Sequence, residues 1–178
     1  MEQDIQQIRA TIRDVPDFPK PGIIFKDITP LLSNGRLFRR TIDLLAERYR
    51  PQQVDMVLGI ESRGFIIGSS LAYALGVGFS IVRKPGKLPH QTHSATYDLE
   101  YGTDTLEVHQ DAIAPRARVL IVDDLIATGG TAAAAAALVT KLGAEVLEGA
   151  FVIELGFLNG RERFKPHGVF SLLRYDSE

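Results

Sequence analysis

Apolar residues recur along this chain at two spacings, and the alternation between them predicts an α/β protein. Ile5, Ile8 and Ile12 stand at helical spacing and predict a short amphipathic helix over 4–13. Leu37, Phe38, Ile42, Leu44 and Leu45 form a second helical stripe within 35–48. The apolar run at 119–122 reads instead as a strand buried on both faces of a parallel sheet, 54–60 as a buried strand and 79–82 as the next strand. Further strands are expected within 145–155, over 169–175 and, briefly, around Leu106 and Val108. Helices are expected from the turn at Gly64 to about Leu75 and over 131–142, the second closed by Gly143. Six consecutive alanines, 132–137, give that helix high propensity and a slim profile for close packing. Strands alternating with helices imply a doubly wound, mainly parallel sheet flanked by helices.

The pattern breaks twice. Residues 14–22 hold three prolines and a glycine and are expected to lack regular structure, after which Ile23 to Pro30 runs extended. From Arg83 to Thr105 the chain is polar, rich in lysine, histidine and threonine, and poor in core residues, which points to a functional or mobile segment. His90 and His93 fall inside it, three apart, without the further ligands a metal site needs. No repeat or linker divides the chain, so 1–178 is expected to form one domain.

Composition narrows the classes. A chain of 178 residues with 45% apolar and 24% charged residues has ordinary globular values. The net charge of −2 argues against nucleic acid as the main partner. The lack of cysteine excludes disulfides and thiolate metal sites and fits a reducing compartment. The polar N-terminus carries no signal-peptide core, and no apolar run reaches the length of a membrane span. The expectation is a soluble, cytoplasmic protein without a membrane partner.

Three clusters can carry chemistry. The stretch V-L-I-V-D-D-L-I-A-T-G-G-T, from Val119 to Thr131, brings Asp123 and Asp124 to a strand's carboxyl end, where open α/β sheets bind ligands. Its small, glycine-rich turn can wrap N–H groups and two hydroxyls around an anion at a helix N-terminus. No Gly-Lys-Ser/Thr triplet is present, and Gly76 and Gly78 lack the third glycine of a dinucleotide fingerprint. An ordinary capped turn is the alternative, but adjacent acids at a buried strand end are costly unless something binds them. Glu61-Ser62-Arg63-Gly64 follows another strand, and Arg63 offers a forked donor set suited to phosphate or, alternatively, to a surface salt bridge. Arg83-Lys84-Pro85-Gly86-Lys87 follows a third: a solvated charged face, or cations that neutralise a charged leaving group.

The 119–131 pattern resembles the phosphoribosyl-pyrophosphate (PRPP) motif of the type I phosphoribosyltransferases. Together with I-I-F-K-D-I-T-P (23–30), Gly86-Lys87-Leu88-Pro89 and Tyr97-Asp98-Leu99-Glu100-Tyr101-Gly102, it resembles the adenine phosphoribosyltransferase family nearly end to end. The resemblance implies the type I phosphoribosyltransferase fold, with a small N-terminal hood (about 1–34) and a flexible lid (about 84–105). It implies a purine-salvage reaction in which the 5-phosphoribosyl group of PRPP passes to N9 of adenine, giving AMP and pyrophosphate.

Residue by residue, the resemblance implies ribose contacts from Asp123 and Asp124, and 5′-phosphate contacts from Ala127, Thr128, Gly129, Gly130 and Thr131. Pyrophosphate falls to Ser62, Arg63, Arg83, Lys84 and Lys87, with a cis bond at Glu61-Ser62. Adenine stacks on Phe25 and is read by the backbone of Ile24 and Lys26, although Phe25 also reads as a core phenylalanine. Lys26 stands where some relatives carry arginine. Glu100 would act as acid/base at the purine, alongside Arg63 and Lys87 as catalytic cations, with Tyr101 closing the lid; taken alone, Glu100 reads as a solvated loop acid. Mg²⁺ would be held by substrate and water, with no direct side-chain ligand, and the chain would form a homodimer. A 6-oxopurine enzyme and a non-catalytic PRPP sensor are the rivals. The Phe25 segment argues against the first; the lack of a DNA-binding module or basic face argues against the second.

Overall fold

The computed structural model describes residues 1–98 and 102–177. The chain opens with α1 (Glu2–Thr11), the short strands β1 (Arg13–Pro16) and β2 (Ile24–Asp27), and the helices α2 (Thr29–Ser33) and α3 (Gly35–Tyr49). Then come β3 (Met56–Ile60), α4 (Gly64–Leu75), β4 (Gly78–Val82), β5 (Thr92–Asp98) and β6 (Thr103–His109). The last part is β7 (Arg118–Ile126), α5 (Gly130–Lys141), β8 (Glu145–Leu155), α6 (Gly160–Phe164) and β9 (Val169–Tyr175).

Among the described residues, five strands form one parallel sheet in the order β4-β3-β7-β8-β9. The chain moves outward from β3 to β4, then returns to lay β7 on the other side of β3. The order therefore reverses between β3 and β7, and a crevice opens beyond their carboxyl ends, where α/β sheets hold ligands. Both predicted loops, after Ile60 and after Ile126, open onto that crevice.

Side-chain alternation explains why the apolar runs are continuous. Leu120 and Val122 of β7 face a core shared with α3 and α4, including Leu45, Tyr49, Ile67 and Leu71. Val119 and Ile121 face a second core, with Leu138 and Val139 of α5 and Phe151 of β8. A strand covered on both faces has no position at which a polar side chain is cheap. Asn34 caps α3 by accepting the Leu37 N–H at 3.1 Å, and Gly143, at φ +77°, ends the α5 region as expected.

Three expectations change. The run expected to be extended through Pro30 ends as a strand at Asp27, and Thr29 and Pro30 open α2, where a proline in the first turn lacks no needed N–H. Residues 13–16 are a strand after all: Val15 pairs with Phe25 and Pro16 with Ile24. Pro16 ends a strand at the edge of a two-stranded ribbon, where no ladder N–H is demanded of it. The polar 83–105 segment contains β5, paired in register with β6 from Thr92↔His109 to Asp98↔Thr103. Its inward positions, Ala95 and Tyr97, pack on the second core, whereas Thr96 is exposed. An Arg83↔Glu107 bridge joins this ribbon to the end of β4.

Candidate active site

The crevice is built from local necessities. β7 runs through Asp123 and Asp124 to Ile126, so both acids belong to the strand rather than to the loop after it. Asp124 is buried at 3% exposure, and Arg63 Nε donates to its Oδ2 at 2.5 Å. Asp123 is half-buried, and its Oδ1 accepts the Asp124 N–H at 2.8 Å. Burial, and then the neighbouring Asp124 charge, push the Asp123 carboxyl well above the usual carboxylate range. Gly64 permits this crowding: a Cβ there would stand 2.7 Å from the Val122 carbonyl and 2.9 Å from Asp123 Oδ1.

Next to Asp123 lies a cavity of about 190 Å³, lined by Ile60, Phe151 and the whole run from Leu125 to Ala132. Gly129 turns the chain at φ +79° and caps α5; its Cβ would fall 2.2 Å from the Gly160 carbonyl, so only glycine fits. The first turn of α5 carries no acid, which leaves its N–H groups and dipole to act on an anion in the cavity. A larger groove, about 640 Å³ between α3 and α4, lies away from the strand ends and lacks this donor set.

Opposite, the Glu61-Ser62 bond is cis, as the resemblance implies, and α4 starts at Gly64. Glu61 organises the cations. It accepts from Lys87 Nζ at 2.7 Å, Arg83 Nη2 at 3.1 Å and the Lys84 N–H at 2.9 Å. Burial opposes its ionisation, but these donors outweigh it and bring the carboxyl down to about 2. Lys84 Nζ pairs with Asp104 instead. The Arg63 guanidinium lies 5.1 Å from the Phe25 ring centre, linking β2 to the crevice. Phe25 is half-buried and meets Phe18 edge-on at 5.2 Å. Lys26 is 5% exposed, donates to Asp14 at 2.7 Å and lies 4.6 Å from the Tyr175 ring centre. Among the described residues, no group of three or more His, Cys, Asp or Glu is placed to hold a metal.

Comparison with known proteins bears on this arrangement. Residues 27–174 match the phosphoribosyl transferase domain family. The chain is 57% identical over 171 residues to adenine phosphoribosyltransferase of Syntrophotalea carbinolica, covering 96% of this chain and all of that one. It is 59% identical over 170 residues to the enzyme of the same name from Chloroflexus aurantiacus, covering 96% and 98%. The chain belongs to the adenine phosphoribosyltransferase family. Among solved structures, adenine phosphoribosyltransferase from Thermoanaerobacter pseudethanolicus superposes with a TM-score of 0.94 at 50% identity, covering 96% of this chain and 99% of that one. The Saccharomyces cerevisiae enzyme, complexed with an imino-altritol bisphosphate and adenine, superposes at 0.92 with 46% identity, covering 97% and 100%.

Within the family fold, Ser62, Arg63, Asp123, Asp124 and the 127–131 loop converge on one crevice, because β3 and β7 are neighbours. Arg83 and Lys87 reach its rim through Glu61, and Phe25 reaches it through Arg63. Ile24 and Lys26 lie on β2, whose far edge carries no partner strand among the described residues. Glu100 and Tyr101 lie outside the described residues. Sequence reasoning missed the part played by Glu61, whose partners stand 22 to 26 residues away. It also assigned nothing to Tyr97 or Asp104 individually.

Proposed function

We propose that the crevice transfers the 5-phosphoribosyl group of PRPP to N9 of adenine, releasing AMP and pyrophosphate in purine salvage. The observation that carries this reading is one anion cradle, one carboxylate pair and one cation cluster meeting at the β3/β7 switch point. The family membership supports it over 96% of the chain.

In this reading the N–H groups and hydroxyls of Ala127 to Thr131 bind the 5′-phosphate. Asp123 and Asp124 accept hydrogen bonds from the ribose hydroxyls, which also relieves the cost of a carboxylate held above its usual range. Pyrophosphate lies against Ser62, Arg63, Arg83, Lys84 and Lys87, and Glu61 keeps Arg83 and Lys87 gathered while the site is free. As the C1–O bond breaks, negative charge grows on the leaving group, and fixed cations stabilise it more than they stabilise the bound substrate. Adenine stacks on Phe25, and the open edge of β2 offers a C=O to its amino group and an N–H to its ring acceptor. A 6-oxopurine would leave those groups mispaired. Glu100 takes the purine proton as the N9–C1 bond forms, and Tyr101 helps to exclude water.

Two carboxylates at one strand end suit an ion that keeps its waters and shares the substrate's oxygens, as Mg²⁺ does. An ion held there through its waters would supply further positive charge near the departing pyrophosphate. Residues 1–178 act as one domain, with 1–34 as the hood and 84–105 as the lid. A cytoplasmic homodimer completes the reading.

The test is product formation from PRPP and Mg²⁺ with adenine, hypoxanthine, guanine and xanthine in parallel. AMP from adenine alone is the expected result. Turnover of an oxopurine would overturn the β2 pocket, and binding of PRPP without turnover would favour a sensor.

A further inference from the structure

Asp104, on β6 of the 83–105 segment, bridges the two phosphate-competent loops. From the cation loop, Lys84 Nζ pairs with Asp104. Directly across the ribbon from Asp104 stands Tyr97, whose hydroxyl donates to Asp104 Oδ2 at 3.3 Å. From the anion cradle, Thr131 Oγ1 donates to the Tyr97 hydroxyl oxygen at 3.2 Å. Tyr97 is 9% exposed, and its ring packs in the second core, so the hydroxyl sits at a fixed point. Nothing in the reaction described above uses this phenol.

Resting on the reading of 127–131 as the 5′-phosphate cradle, we propose that Tyr97 is a positioning residue that orients the Thr131 hydroxyl toward the phosphate. A threonine hydroxyl has one hydrogen, and a bound phosphate dianion can only accept it. When Thr131 turns that hydrogen to the phosphate, its oxygen is left as an acceptor beside Tyr97. The phenol then turns its own hydrogen from Asp104 to Thr131, and a hydroxyl that accepts one hydrogen bond donates a stronger one. In the free site Asp104 also holds Lys84. The free site thus holds Thr131 in place without satisfying it so fully that phosphate cannot compete.

The test is Tyr97→Phe, which removes the hydroxyl and keeps the ring that fills the core. Affinity for AMP should fall about three- to tenfold, the worth of one hydrogen bond. Affinity for adenosine, which lacks the phosphate, should stay within about twofold, because that ligand never engages the hydroxyl. In the forward reaction the KM for PRPP should rise more than kcat falls. In a Thr131→Val background, Tyr97→Phe should add no further loss of AMP affinity, since the two act through one hydroxyl. Equal losses for AMP and adenosine, or losses that add in the double variant, would overturn the proposal. Should Tyr97→Phe not fold, Asp104→Ala removes the acceptor that holds the phenol from a more exposed position. It should reproduce part of the AMP-selective loss, and unchanged AMP affinity there would count against the inference. Failure of the wild-type protein to turn over adenine and PRPP would instead sink the reading of the site itself.

Discussion

Glu61 shows how much of this site depends on one side chain. Three donors converge on it from a loop that would otherwise hold like charges apart only by repulsion. Its carboxyl is held at about 2 against an ordinary 4.5, so the folded state binds its proton more weakly than the unfolded chain does. The stability it contributes is therefore present above the unfolded value and is lost as pH falls through the folded one. Wild type and Glu61→Gln, unfolded in urea at a series of pH values, should differ most above about pH 5 and converge toward about pH 2. A difference independent of pH would mean that Glu61 acts by packing alone. At neutral pH the same variant should raise the KM for PRPP, because Arg83 and Lys87 lose the acceptor that gathers them.

At the level of elements, the junction between β7 and α5 has the least freedom. Gly129 sits at φ +79° with its α-carbon facing the Gly160 carbonyl, and Gly160 in turn faces the Ala127 carbonyl, 2.3 Å from where its own Cβ would stand. The start of α6 thus forms the back wall of the anion cradle. Gly129→Ala must meet both a backbone conformation unfavourable by about 1–2 kcal/mol and a steric overlap that neither loop can easily yield to. It should destabilise the protein by about 2 kcal/mol or more in urea unfolding and raise the KM for PRPP. Wild-type stability in that variant would show that α6 moves freely from the cradle. The alanine run of α5 belongs to the same argument: Ala132, Ala135 and Ala136 are buried, and small side chains let the helix lie close to the sheet and to β5.

Across the whole molecule, the chain's first residues are tied to its last strand. Lys26 of β2, itself buried, reaches Asp14 of β1 and the Tyr175 ring at the end of β9, and the Arg9 guanidinium of α1 lies 4.5 Å from the centre of that same ring. Burying a lysine is costly unless it is paired, so its side chain marks a position that holds β2 relative to the sheet. Lys26→Met keeps the length and removes the charge. It should raise the KM for adenine about three- to tenfold while that for PRPP stays within about twofold. An unchanged KM for adenine would mean that β2 is held by its other contacts.

The chain's own pattern determined the parallel sheet, the strand-loop-helix cradle and its acid pair, because each is written in contiguous residues. Continuous apolar runs mark strands covered on both faces, and a small-residue turn between a strand and a helix leaves helix N–H groups open to an anion. The tertiary structure alone decided the partners. It joined Arg63 to Asp124 across 61 residues, Glu61 to Lys87 across 26 and Thr131 to Tyr97 across 34. It also turned two polar segments, at 13–16 and 92–98, into paired strands. Such contacts leave no local periodicity, since a hydrogen bond or ribbon pairing between distant residues is settled by where the sheet order reverses and not by the neighbours of either residue.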